Sequence, residues 1–194
     1  KSVDKYNKTL QEMKKGTPIL YQPVVHNHKN KTYGCPDLIV RTDYLVKLLS
    51  HEKEEESSKI YLNSLDKIIC QNYTDLIQAC KEGDYIYHIV DIKWSTLHFN
   101  SCKLTLRNNQ NVKPFKTQLY LYNLALGNMQ KLLPRYAYIL GKGWIEERII
   151  KKQKIVTKSK DPFERYGVLD FEENDVQYKE VAKDAVKWLN KLHS

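Results

Sequence analysis

Asp91-Ile92-Lys93 closes the apolar run Tyr85-Ile86-Tyr87-His88-Ile89-Val90, whose aromatic and β-branched residues read as a strand. Side chains of a strand alternate between faces, so Asp91 and Lys93 project from the same side. Asp37 opens a second apolar run, Leu38-Ile39-Val40, directly after the corner Gly34-Cys35-Pro36. With the two strands as neighbours, two carboxylates and an ammonium share one surface. Paired carboxylates suit a hard cation such as Mg²⁺, which keeps several of its waters. The cation would polarise a phosphoryl oxygen and acidify a bound water, and Lys93 would position or deprotonate that water. The chemistry this favours is hydrolysis of a phosphodiester.

Gln118 and Tyr122 stand four residues apart in a helical stretch, hence on one helix face. An amide and a phenol aimed the same way would orient the lysine, a water or a phosphate, while Leu119, Leu124 and Ala125 pack the helix onto a sheet. In this order, Gly34-x-x-Asp37, Asp91-x-Lys93 and Gln118-x-x-x-Tyr122 resemble the PD-(D/E)xK nuclease superfamily. The Gln-x-x-x-Tyr element is similar to that of its RecB-like branch, and the literal Pro36-Asp37 pair is present. The similarity spans residues 10–140.

The resemblance implies an α/β fold, a restriction-endonuclease-like mixed β-sheet flanked by helices. It also implies a nuclease that cuts DNA with Mg²⁺ or Mn²⁺, in DNA repair, recombination or replication. By resemblance, Asp37 and Asp91 hold the metal and the Ile92 carbonyl is a further ligand. Lys93 is the catalytic lysine, and Gln118 and Tyr122 support the site. Members often add a ligand from the first helix, for which Glu12 is the positional candidate and Gln22 the runner-up. Relatives with an iron–sulfur cluster carry three cysteines after the Gln-x-x-x-Tyr helix. Here Cys35, Cys70, Cys80 and Cys102 all precede Gln118, so no iron–sulfur cluster is expected.

The bulk properties are compatible with this chemistry. The 194 residues form a single domain large enough to bury a core. No apolar run is long enough to span a membrane. Scattered cysteines without a C-x-x-C suit a reducing compartment, so we expect an intracellular protein of the cytoplasm, nucleus or a viral factory. The chain opens on Lys1-Ser2-Val3, neither a secretory leader nor an initiator methionine. It therefore reads as a piece of a longer protein, whose other domains would include one such as a helicase.

Net charge is +9, from 32 Lys and Arg against 23 Asp and Glu, which favours a polyanionic partner through counterion release. The excess is uneven: residues 141–160 carry seven basic side chains against Glu146 and Glu147. We expect DNA contacts from Lys151, Lys152 and Lys154 there, and from Lys103, Arg107, Lys113 and Lys116 ahead of Gln118. An alternative role is a non-catalytic nucleic-acid-binding module of a larger DNA-processing protein.

The elements that must carry these residues follow from periodicity. Val3, Tyr6, Leu10 and Met13 predict a helix over 3–15 stopped at Gly16. Residues 18–25 and 33–41 predict a hairpin across the polar turn 26–31. A helix starts at Tyr44 and runs into the acidic loop Glu52–Glu56, and Tyr73–Lys81 is helical. Pro114 starts a long helix reaching about Leu133. Arg135–Leu140 predicts a strand turning at Gly141-Lys142-Gly143 and pairing with Ile145–Ile150. The last helix, 175–193, should face inward through Val176, Val181, Ala185, Trp188, Leu189 and Leu192. Trp94, Tyr85 and Tyr87 read as core, and His88 as a packed or surface histidine. His26 and His28 with Cys35 read as a turn rather than a zinc site, for want of a fourth ligand.

Overall fold

The computed structural model describes residues 2–49, 86–100, 105–108 and 112–192. Lys103, Cys70, Cys80, Cys102, Tyr85, the acidic loop and the Tyr73–Lys81 helix lie outside the described residues. The first helix, α1 (Ser2–Lys14), ends where Gly16 takes a φ of 72°, the left-handed stop that glycine tolerates. Met13 is buried, as its spacing predicts, whereas Val3 is exposed.

The predicted hairpin is two hairpins in series. β1 (Ile19–Tyr21) pairs antiparallel with β4 (Leu38–Arg41), and β2 (Val25–Asn27) pairs with β3 (Thr32–Gly34). They divide at Gln22, with φ of 44°, and at Pro23, which cannot donate to a ladder. Helix α2 (Thr42–Leu49) follows. β5 (Tyr87–Phe99), α3 (Lys113–Gln130), β6 (Tyr136–Ile150), β7 (Gln153–Ser159), β8 (Gly167–Asp170) and α4 (Gln177–Leu192) complete the chain.

The fold is mixed α/β, a mixed sheet flanked by helices. Six strands run in the order β1-β4-β5-β6-β7, with β8 also pairing β6. β5 and β6 are parallel and α3 lies between them in sequence; the other pairs of this sheet are antiparallel. Pleating sorts the core. Ile39, Ile89, Ala137, Ile139 and Leu169 pack with Leu119, Ala125 and Leu126 of α3. Val40, Val90, Tyr138 and Val168 pack with Leu45 of α2. Because helices cover both faces, β5 is buried without interruption from Tyr87 to Asp91. His88 is packed, its ring bonded to Thr42 Oγ1 at 3.1 Å, and burial pushes its pKa down to about 4.

Four expectations are corrected. β6 does not turn at Gly141-Lys142-Gly143; it runs unbroken for 15 residues. The glycines serve close approach instead, since a Cβ on Gly141 would lie 2.8 Å from Ser95 O and one on Gly143 2.5 Å from Ser159 O. The turn is Lys151-Lys152, both at positive φ (49° and 66°), joining β6 to β7. Trp94 is 86% exposed rather than core, because the register of β5 against β6 slips between Lys93 and Thr96 and breaks the regular alternation. On α4 the buried residues are Tyr178 and Ala182, while Val181, Trp188, Leu189 and Leu192 are exposed along with Val176 just before it. The anchoring of Tyr178, whose hydroxyl donates to Asn108 Oδ1 at 2.9 Å, fixes which face turns inward. Finally, α3 stops at Gln130, where Lys131 adopts a left-handed φ of 62°.

Candidate active site

Parity along the strands decides which face carries chemistry. Asp91 and Lys93 share the parity of Ile89, and Asp37 that of Ile39, so all three project toward α3. In the antiparallel pair β4–β5, Leu38 faces Val90. One residue further along the same register, Asp37 stands across from Asp91. Asp37 lies close enough for its charge to be felt by the Asp91 carboxyl. Asp37 Oδ2 also accepts the Ile92 N–H at 2.7 Å, and its carbonyl accepts from Gln22 N at 2.8 Å, which locks the corner onto β5.

Lys93 Nζ ion-pairs with Asp91 Oδ2 and donates to Gln118 Oε1 at 3.5 Å. Gln118 Nε2 in turn donates to the Tyr122 hydroxyl at 2.9 Å. The structure thus brings Asp37, Asp91, Lys93, Gln118 and Tyr122 into one connected group. Asp91 is only 3% exposed. Burial pushes its pKa above the usual carboxylate range, Lys93 opposes that, and the Asp37 charge adds to it. Burial, and then the Asp91 charge, also raise the Tyr122 phenol.

Helix α3 is held at both ends, which is what positions Gln118 and Tyr122. Near its start, Lys116 Nζ meets Asp175 Oδ1 at 2.6 Å, Asn108 Oδ1 at 2.8 Å and Leu106 O at 3.2 Å. At its end, the Gln130 side chain accepts from Tyr87 N at 2.9 Å and donates to Tyr87 O at 3.1 Å. Gly34 supplies the remaining constraint. A Cβ there would lie 2.1 Å from Tyr122 Cε1, so only a residue without a side chain lets β3 lie against the phenol ring.

The donors fit a hard divalent cation. They are two facing carboxylates, one of them buried, and like charges set opposite one another favour a cation between them. Among the described residues no three or more His, Cys, Asp or Glu side chains are grouped so as to hold a metal ion. Glu12 is occupied elsewhere, its carboxylate held by Lys15 Nζ at 2.7 Å and Thr17 Oγ1 at 2.6 Å. His26 and His28 lie with ring centroids 4.1 Å apart, but Cys35 donates to Gln22 O.

The expected DNA contacts divide. Lys116 is corrected: it is fully buried, on the stripe of α3 that also buries Leu119, Tyr120 and Asn123, and it braces the helix. Arg107 is committed to Glu147 at 3.0 Å and the Phe99 carbonyl at 3.1 Å. Lys154 pairs with Glu147 at 2.8 Å. Lys113, Lys151 and Lys152 are exposed. Phe115, whose ring centroid lies 5.9 Å from Lys93 Nζ, was not legible as a site residue, although its place three residues before Gln118 puts it on the same helix face.

No protein-family model, curated protein or solved structure matches the chain. Among the described residues no helix is long and apolar enough to cross a membrane.

Proposed function

We propose that the chain is a metal-dependent nuclease that hydrolyses DNA phosphodiester bonds, with a restriction-endonuclease-like fold. One observation carries the reading. Asp37 and Asp91 face each other across adjacent strands with Lys93 on the same surface, tied through Gln118 to Tyr122. A salt bridge serving stability alone would not need a second carboxylate set against the first.

On this reading Asp37 and Asp91, with the Ile92 carbonyl, hold Mg²⁺ or Mn²⁺. When bound, the cation supplies polarisation of a phosphoryl oxygen and acidification of a water. Lys93 directs an N–H toward charge that develops on the phosphate. Gln118 fixes the amine by accepting a hydrogen bond from one of its N–H groups. Because the Tyr122 oxygen accepts from Gln118, its own O–H is left to donate to water or phosphate.

Incubation of linear and circular DNA with Mn²⁺ tests the proposal. Degradation abolished by EDTA and by Asp91→Ala supports the nuclease, and the circular substrate reads out dependence on ends. Binding without cleavage, unaltered by Asp91→Ala, would favour a non-catalytic nucleic-acid-binding module instead.

A further inference from the structure

Beyond Glu146, β6 leaves the body of the sheet. Its pairing with β5 ends at Phe99 and Glu146, and β8 pairs only with residues 136–139. From Glu147 to Ile150 its strand partner among the described residues is β7 alone, through Val156 to Gln153. The result is a two-stranded ribbon closed by Lys151-Lys152. Every residue of β7 from Gln153 to Lys158 is exposed, whichever face it takes. The base of the ribbon is clamped, with Arg107 on Glu147 at 3.0 Å and Arg165 on the buried Glu146 at 3.1 Å. Gly141 stands opposite Lys93, and Ile150 lies nine residues further along β6. At ~3.3 Å per residue the tip is ~30 Å from the carboxylates.

The composition of the ribbon is two-sided. Residues 148–160 hold six basic side chains and no acidic one. Ile149 is nevertheless 80% exposed, and Ile150, Ile155 and Val156 are exposed as well. Neighbours in a strand alternate faces, so Ile149 and Ile150 make the tip apolar on both sides. Apolar side chains clustered in this way on a surface mark an interaction site. A second copy pairing along the free edge of β7 about Val156 would set Lys154 against Lys158, like charges directly opposed. A polyanion suits the same lysines. Among polyanions, B-form DNA has a major groove ~12 Å wide, which admits a two-stranded ribbon and displays the thymine methyl for apolar contact. The major groove of duplex RNA is too narrow for side chains to read.

We propose that the ribbon enters the major groove of duplex DNA, with Lys151, Lys152 and Lys158 on the flanking phosphates and Ile149 and Ile150 against thymine methyls. The proposal rests on the nuclease reading for its choice of DNA, and it adds an arm that holds the duplex about one helical turn from the scissile phosphate.

The test is fluorescence anisotropy of the whole chain, in EDTA so that nothing is cut, on three labelled duplexes. These are alternating A·T DNA, the same DNA with uracil in place of thymine, and alternating A·U RNA. Wild type should bind the thymine duplex tightest and the RNA weakest, and loss of each contacted methyl should weaken binding about fourfold. Ile149→Ser with Ile150→Ser should bind thymine and uracil DNA alike. Melting curves check that this surface variant folds. Equal wild-type affinity for thymine and uracil DNA, or a thymine preference that survives the double substitution, overturns the groove assignment even where Mn²⁺-dependent cleavage persists. An oligomeric state that depends on the two isoleucines in sedimentation, with DNA affinity unaltered by them, overturns it in favour of a second copy. A thymine preference lost with the isoleucines, in a chain that never cleaves DNA, upholds the ribbon and removes the nuclease reading.

Discussion

Gly34→Ala tests whether the Tyr122 phenol must sit where it does. The added methyl would lie 2.1 Å from Tyr122 Cε1 and 2.5 Å from Cδ1, whereas ordinary contact begins at 3.4 Å. Gly34 is not among the residues at positive φ, so alanine meets no backbone penalty and the effect is purely steric. Ring and strand must part by ~1.3 Å, and the ring packs against the main core cluster, so it cannot move without cost. Overpacking of this kind costs ~1–3 kcal/mol of stability, which lowers Tm by roughly 2–4 °C per kcal/mol in a chain of this size.

The same displacement acts on function. A misplacement on the order of 1 Å costs about 100-fold in turnover, so single-turnover cleavage with Mn²⁺ should fall by that order. DNA affinity measured in EDTA should stay within about twofold. The methyl acts through the ring, so in a Tyr122→Ala background it should add almost nothing to either loss, and the double-mutant cycle reads this directly. Wild-type cleavage and an unchanged melting curve in Gly34→Ala would refute the close packing of β3 on Tyr122. Additive losses in the cycle would show that the methyl acts somewhere else.

Asp91→Asn should abolish the rise in Tm on adding Mn²⁺, yet stabilise the metal-free chain at neutral pH by up to ~1 kcal/mol, because it removes one of two facing charges. The raised pKa of Asp91 favours the fold most when the group is protonated, a contribution lost as pH rises through its folded-state pKa. Protons compete with the metal, so the Mn²⁺-induced Tm shift of the wild type should fade on acidification from above the ordinary aspartate range; a shift constant down to that range would count against the assignment. Lys116→Met should cost ~3–5 kcal/mol in urea denaturation by leaving Asp175 buried without its cation, and a stability equal to wild type would remove the bracing role. Reversal of charge at Lys151 and Lys152 should weaken duplex affinity and make its salt slope shallower by about 1.8, whereas an unaltered slope would mean that the turn faces away from DNA.

What was legible in the sequence, and what was not, divides along physical lines. A strand has only two faces, so Asp91 and Lys93 could be set on one side from their spacing alone. The helical interval of Gln118 and Tyr122 was as readable, and so was the packing of Leu119 and Ala125. Where a residue departs from its usual reason for being present, reading failed. Gly141 and Gly143 look like a turn because glycine commonly supplies positive φ, but here their lack of a side chain admits neighbouring backbone. The real turn was hidden because Lys151 and Lys152 occupy positions where Asn or Gly is usual. Lys116 reads as a surface cation until its partner Asp175, 59 residues away, is known. Long-range pairing of that kind leaves no local trace.

The site is expensive to hold, and the scaffold shows how it is held. A like-charged pair directly across an antiparallel ladder is destabilising, and Asp91 adds the cost of burying a carboxylate. A Val or Thr at either position would serve the sheet better. The pair persists because its surroundings are fixed independently of it. The Ile92 N–H and Gln22 N–H fasten Asp37 to β5 and to the bend after β1, and α3 is tied to the Asp175 segment through Lys116 and to β5 through Gln130. These ties lie outside the carboxylate pair. The constraint that aims Gln118 and Tyr122 is thus separable from the constraint that opposes Asp37 to Asp91. Loosening α3 through Lys116 should therefore reduce turnover more than metal affinity, whereas neutralising Asp91 should remove metal affinity and leave the helix in place.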